Sequence, residues 1–155
     1  MNLILLLLFC LITQQQLFSQ VTISYYPLQS ILSISTNTNK LFFADFKLET
    51  NTFISNLNME FSPKINFKSL DNVNYYTGIG ISINPVNSYA DLPITNGYFI
   101  DFGIRAKPFD KLRNLQLVFE ISPYINKDCS GGNLRTRLGL SWNFTNESSK
   151  SSPPE

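Results

Sequence analysis

The sequence predicts an all-β protein, an up-and-down antiparallel β-barrel of eight strands, and two observations carry this prediction. From Leu41 to Phe144, apolar and polar residues alternate with a period of two, which is the period of a β-strand. In six of these stretches, one face holds 33 residues and no charge. The opposite face holds 29 residues, of which 11 are charged.

The charged face also carries the small residues, including Gly78, Gly80, Gly103 and Gly139. Small side chains with balanced charges suit a narrow polar interior, whereas a continuous apolar face suits lipid. The pattern therefore predicts a transmembrane barrel with its apolar face outward. The reverse arrangement, a soluble periplasmic or secreted barrel that binds an apolar ligand inside, remains the alternative.

Three segments are expected along the chain. Residues 1–19 read as a secretory signal peptide, because the apolar run Leu3–Ile12 has the length of a signal core and is too short to span a bilayer as a helix. A buried N-terminal strand or helix is the alternative. Residues 20–144 form the barrel, and the polar tail 145–155 is expected to be disordered.

Turn-forming residues divide the barrel segment into eight strands. The expected strands are 20–26, 28–36, 40–50, 52–67, 73–84, 97–108, 113–125 and 133–144. The first two could instead be one strand interrupted at Pro27, but bacterial single-chain barrels have even strand counts, which favours two. Pro63 and Pro123 fall inside strand patterns, so each is expected at a rim or a bulge.

The aromatic residues are expected to form two girdles at the membrane interfaces. If the last strand runs toward the periplasm, segments 84–97 and 125–133 are outer loops, and 68–73 and 108–113 are inner turns. The outer girdle would comprise Tyr25, Tyr26, Tyr98 and Tyr124. The inner girdle would comprise Phe67, Tyr75, Phe109, Trp142 and Phe144.

The charged residues of the interior face are expected to form a network in the lumen. Its candidate members are Asp45, Lys47, Glu49, Glu60, Asp101, Arg105, Glu120, Arg135 and Arg137; Lys64 and Lys107 share their face. Side chains fill the lumen of an eight-stranded barrel, and buried charges there require partners. Arg135 and Arg137 are expected to pair with Glu120 on the neighbouring strand, or with Asp45 and Glu49 across the closing seam. A small pore lined by these charges is the alternative.

The composition argues against several other functions. The chain has no histidine, which excludes Ser-His and Cys-His nucleophilic pairs and histidine-ligated zinc. We therefore expect no enzyme activity, no cofactor and no metal. A net charge of +1 gives no reason to expect a nucleic-acid partner.

Two stretches carry a resemblance to a known family. Leu138-Gly139-Leu140-Ser141-Trp142-Asn143-Phe144 resembles the closing strand of Gram-negative outer-membrane barrels, in which alternating apolar residues and a final aromatic are read by the insertion machinery. Tyr75-Tyr76-Thr77-Gly78-Ile79-Gly80-Ile81 resembles a strand of small OmpA/OmpX-like barrels. In the family the aromatic is usually terminal, whereas 11 residues follow Phe144 here.

The resemblance implies a location in the cell outer membrane. Leu138, Leu140, Trp142 and Phe144 would then form the assembly signal, and the partners would be outer-membrane lipid, the barrel insertion machinery and a larger membrane complex. The expected role is that of a non-enzymatic integral barrel with a structural, surface-interaction or complex-subunit function. Because such barrels serve many purposes, the fold does not identify which.

Overall fold

The computed structural model of the protein describes residues 20–50, 57–90 and 92–144. These residues form eight strands: β1 Thr22–Tyr26, β2 Ile31–Ser35, β3 Phe42–Glu49, β4 Met59–Ser69, β5 Val73–Ile83, β6 Thr95–Ala106, β7 Leu115–Asn126 and β8 Gly132–Asn143. Two 3₁₀ segments, Pro85–Ala90 and Asp110–Leu112, lie in the connections after β5 and β6. No helix of the described residues is long and apolar enough to cross a membrane.

The strands form one closed, up-and-down antiparallel barrel, as the sequence predicted. Each strand pairs with the next, and β1 closes the barrel by pairing with β8, where Ile23 lies opposite Trp142. Residues 20–36 contain two strands, because the chain reverses between Tyr26 and Ile31. Segments 1–19, 51–56 and 145–155 lie outside the described residues, so the expected signal peptide, the start of the fourth predicted strand and the expected tail are not seen.

The two faces of the wall have opposite polarity. Apolar side chains point outward: Phe42, Ile79 and Leu140 are 68%, 65% and 55% exposed. Among the described residues, only six apolar side chains are buried, against 22 polar or charged ones. This distribution is the reverse of a water-soluble core, in which apolar side chains fill the interior.

The two strand prolines, which the sequence placed at a rim or a bulge, sit at gaps in the ladder across which the register does not shift. The pairing of β4 with β5 skips Ser62 and Pro63, and the pairing of β6 with β7 skips Ser122 and Pro123. Each proline is aligned instead with the strand on its other side, Pro63 opposite Ala44 and Pro123 opposite Leu134. Proline has no backbone N–H to donate. At a gap in the ladder no such donor is needed, so no ladder hydrogen bond is lost.

Glycines on the inner face make room for aromatic rings inside the narrow lumen. A Cβ atom added to Gly103 would overlap the ring of Tyr76. The rings of Phe99 and Tyr26 lie against Gly80 and Gly139 in the same way. Each ring therefore packs on the glycine backbone of an adjacent strand, which lets large side chains share an eight-stranded interior.

We predict that Gly103→Ala destabilises the barrel by about 1–3 kcal/mol, because the added methyl group overpacks the space that the ring of Tyr76 fills. Gly131→Ala is the matched control, since the nearest atom to its added Cβ is 3.4 Å away. Urea unfolding of both variants in detergent micelles measures the difference. Equal midpoints for the two variants would contradict the packing described.

Candidate functional site

Glu120 on β7 lies at the centre of a buried ion cluster in the lumen. Its Oε1 atom accepts hydrogen bonds from Lys47 Nζ and from Arg137 Nη1, the latter at 3.0 Å. Its Oε2 atom accepts from Lys64 Nζ and from the Tyr76 hydroxyl, the latter at 3.1 Å. The carboxylate is fully buried. Four donors from four other strands therefore saturate one carboxylate, which is how a buried charge is stabilised.

The two lysines connect Glu120 to two aspartates. Lys47 Nζ lies 3.3 Å from Asp101 Oδ2 and 3.7 Å from Asp45 Oδ2. Lys64 Nζ lies 2.9 Å from Asp45 Oδ2 and 3.0 Å from Asp101 Oδ2. Each ammonium group thus contacts three carboxylates inside the barrel.

Two serines of β2 complete the surroundings of Asp45. The hydroxyl groups of Ser33 and Ser35 both donate to Asp45 Oδ1, the second at 2.9 Å. Register places them there, because Ser35 lies directly opposite Asp45 and Ser33 lies opposite Lys47. The small polar side chains of β2 therefore satisfy the oxygen of Asp45 that the lysines leave free.

Glu60 extends the cluster toward the end of the barrel where β7 connects to β8. Arg137 Nη2 donates to both Glu60 carboxylate oxygens at 2.9 Å, and Arg135 Nη1 donates to Oε1 at 2.7 Å. The guanidinium of Arg135 also lies 4.4 Å from the ring centroid of Tyr124 and 5.2 Å from that of Phe99. Contact of this kind between a cation and a ring face adds to the ion pair.

The cluster contains most, but not all, of the charges assigned to the lumen from the sequence. Asp45, Lys47, Glu60, Asp101, Glu120, Arg135 and Arg137 meet within it. Glu49 does not: its carboxylate accepts from Asn58 Nδ2 at 3.0 Å at the opening of the barrel. Arg105 is buried in the lumen, but it lies apart from the cluster and contacts Ser141.

The expected pairing of the β8 arginines is formed in part. Arg137 pairs with Glu120 on the neighbouring strand, as expected, and also with Glu60. Arg135 pairs with Glu60 alone, across the lumen, and not with Glu120. The alternative pairing of these arginines with Asp45 and Glu49 is not formed, since Asp45 pairs with Lys64 and Glu49 accepts from Asn58.

The sequence placed Lys64 on the charged interior face but not among the nine named members of the network, although it contacts three carboxylates of the cluster. The two-residue period of the sequence indicates this role, because it puts Lys64 on the same inward face of β4 as Glu60. Tyr76, Ser33 and Ser35 were also missed as partners. An inward serine or tyrosine has no charge to mark it, so its role follows only from strand register.

The apolar residues of the last strand point outward. Leu138, Leu140, Trp142 and Phe144 are between 41% and 55% exposed. The expected outer aromatic girdle is only half present. Tyr25 and Tyr98 point outward, whereas Tyr26 is fully buried and Tyr124 covers Arg135. The alternation explains the error, because Tyr26 follows Tyr25 and must point to the opposite face.

The arrangement suits structure more than reaction chemistry. Every carboxylate of the cluster is within 4 Å of a lysine or arginine nitrogen. The described residues contain no group of histidine, cysteine and acidic side chains suited to a metal ion. Buried side chains fill the part of the lumen that the ion cluster occupies. This filling is consistent with a closed lumen.

Comparisons with models of known protein families, with curated proteins and with solved structures find no match. The inferences below therefore depend on this chain's own residues and geometry.

We predict that Glu120→Gln lowers the free energy of unfolding by about 3–5 kcal/mol, because it leaves buried cations without their shared carboxylate. Urea unfolding of the folded barrel in detergent, followed by tryptophan fluorescence of Trp142, measures the loss.

Glu49→Gln is the matched control for this prediction. It makes the same chemical change at the opening of the barrel, where the carboxylate accepts from Asn58, and it should alter stability by no more than about 0.5 kcal/mol. If Glu49→Gln lowered the free energy of unfolding as much as Glu120→Gln, the cluster would contribute no more to stability than a carboxylate at the barrel opening.

Proposed function

We propose that this chain is an integral outer-membrane β-barrel with a closed lumen and a structural, surface-interaction or complex-subunit role, and that it is not an enzyme. One observation carries the proposal: the barrel has its ions inside and its large apolar side chains outside. In water this distribution would expose an apolar patch far larger than monomeric soluble proteins carry. In a bilayer the same face is solvated by hydrocarbon.

Strand length supports a membrane location. Strands β4 to β8 contain 11 or 12 residues each, and a tilted strand needs about 9–11 residues to cross a bilayer. Strands β1 and β2 are shorter, with five residues each. The side chain of Thr77, a polar residue on the outward face, donates to the carbonyl of Asp101 at 2.9 Å, so this hydroxyl need not face hydrocarbon unpaired.

The filled lumen favours a closed barrel over both alternatives. A pore needs a water path past Lys47, Lys64, Asp101 and Glu120, whose side chains are at most 2% exposed. An apolar ligand would need an apolar interior, whereas salt-bridged charges occupy this one. The proposed role therefore lies on the outer wall and at the ends of the barrel.

The loop between β5 and β6 is the best candidate for a contact surface. Hydrogen bonds fix its conformation: Asn84 N donates to the Ile94 carbonyl at 2.8 Å, and Asn87 Nδ2 donates to the Pro93 carbonyl at 3.0 Å. At its tip Tyr89 is 94% exposed. An exposed tyrosine on a loop braced by hydrogen bonds suits contact with a partner, which supports a surface-interaction role.

The proposed partners are outer-membrane lipid along the wall and the barrel insertion machinery at the last strand. The outward row Leu138, Leu140, Trp142 and Phe144 supports the second proposal, because it presents the apolar pattern of a closing strand. A larger membrane complex is the third proposed partner. The proposed orientation places both ends of the barrel segment on the periplasmic side and the β5–β6 and β7–β8 connections outside.

Electrophoresis without boiling tests the proposal directly. The chain, expressed in a Gram-negative host, should be recovered in the detergent-extracted outer-membrane pellet. In SDS it should migrate faster before boiling than after, because a closed membrane barrel resists SDS while folded. A soluble protein with no shift would overturn the proposal and favour the apolar-ligand alternative.

We predict that Leu138→Arg prevents assembly of the barrel in the membrane. Leu138 is 43% exposed and lies opposite Phe119 in the β7–β8 ladder, and an arginine at the bilayer midplane costs about 2–4 kcal/mol. Leu28→Arg is the matched control, because Leu28 is 77% exposed in the connection between β1 and β2. Normal assembly of Leu138→Arg would show that this face does not meet lipid.

A further inference from the structure

Arg105 is a buried cation whose hydrogen-bonding capacity is largely unused. It lies on β6 and is 1% exposed. Its Nη1 atom donates to the hydroxyl of Ser141 at 3.3 Å, whereas Nε and Nη2 have no partner among the described residues. A guanidinium carries five donors, and leaving them unmade in a buried site is costly.

Arg105 is also the one buried cation of the described residues that makes no ion pair. Four acidic side chains, Asp45, Glu60, Asp101 and Glu120, form ion pairs with four basic ones, Lys47, Lys64, Arg135 and Arg137. In the described part of the chain, no carboxylate lies within 4 Å of Arg105. Arg105 is therefore a buried guanidinium without a counter-ion in contact, which is a costly arrangement in a lumen of low dielectric constant.

The surroundings of Arg105 leave its edge, and not its faces, open to a partner. The rings of Phe43 and Tyr76 lie against the guanidinium, with centroids 5.4 Å and 5.3 Å from its central carbon. The unpartnered Nε and Nη2 atoms belong to the edge of the group. This edge presents two parallel N–H donors in the geometry that binds anions.

Gln116 supplies a second set of unused polar atoms at the same level of the barrel. Its side chain is 1% exposed, and neither its Oε1 nor its Nε2 atom has a partner among the described residues. It lies directly opposite Ser141 in the β7–β8 ladder, and Ser141 is the residue that Arg105 contacts. A further N–H donor is therefore available close to the arginine.

Polar side chains close the barrel on the side of Arg105 away from the ion cluster. The connection between β2 and β3 carries Thr38, which is fully buried and whose hydroxyl lies 3.2 Å from that of Thr22. Asn66 Nδ2 donates to the carbonyls of Thr38 and Lys40, at 2.9 Å and 2.6 Å. An eight-stranded lumen is just wide enough for side chains or one small ligand, so a partner beside Arg105 must be small.

We propose that the lumen holds one small monovalent inorganic anion, a halide such as chloride, bound to the edge of Arg105 beside Gln116. A single negative charge would give Arg105 the counter-ion that no carboxylate in contact supplies, and a halide accepts several N–H donors at once. Water could accept the same hydrogen bonds, but it would leave the guanidinium without a counter-ion. The anion is thus a structural ligand that completes the packing of the interior.

Bromide is the probe for this site, because it can replace chloride and its position can be located from its anomalous X-ray scattering. The full chain is folded from urea into detergent in a bromide buffer, which loads the enclosed site during folding, and is then crystallised. We expect an anomalous peak within hydrogen-bond distance of Arg105 Nε and Nη2. Bromide only at exposed surface groups, or density without anomalous signal beside Arg105, would overturn the proposal.

Two variants sharpen this experiment. Arg105→Gln should lose the internal bromide peak, whereas Arg135→Gln, which removes an ion-paired arginine whose side chain is 22% exposed, should retain it. An internal peak that persists in Arg105→Gln would overturn the assignment of the site. If Arg105→Gln does not fold, the peak in the unaltered chain still decides the question.

Unfolding in solution gives an independent readout. The urea midpoint of the unaltered chain should rise with chloride concentration at constant ionic strength, with large organic anions replacing chloride, because a ligand that binds only the folded state stabilises it. Arg135→Gln should show the same rise. A midpoint that does not change with chloride would contradict the proposal.

Discussion

The saturated carboxylate of Glu120 is the interaction on which the rest of the structure depends. Its two oxygens receive donors from β3, β4, β5 and β8, so one side chain links five of the eight strands across the lumen. Buried ions are costly to desolvate, and only a complete set of partners offsets that cost. The interior therefore tolerates little variation in strand register, because a shift of one residue would move each partner to the outer face.

The filling of the lumen determines what the outer wall must be. An eight-stranded interior is just wide enough for side chains or one small ligand, and here charged groups, hydroxyl groups and a few aromatic rings occupy most of it. Almost all large apolar side chains are thereby left to the outside. Glycines such as Gly103 and Gly80 make this interior possible, since the rings of Tyr76 and Phe99 occupy the space that a side chain would need. A polar core and an apolar wall are thus two results of one packing arrangement.

The same packing limits the functions that the barrel can perform. Under the proposed function, a lumen closed by ion pairs is neither a path for solutes nor an apolar chamber. The candidate contact surfaces are then the wall, the last strand and the connections at the ends. Among these, the described residues of the β5–β6 loop are braced by hydrogen bonds, and Tyr89 has the exposure expected of a contact residue.

The sequence by itself determined the strands and the two faces, because a period of two is a local property that each strand carries alone. It predicted eight strands, the inward charges and the outward row from Leu138 to Phe144. The partners of those charges were decided only by the tertiary structure. Arg135 meets Glu60 across 75 positions of the chain, Glu49 stays at the opening, and Arg105 is left without a carboxylate. Such pairings depend on closure of the barrel and on the depth of each residue within it, and no local pattern encodes these.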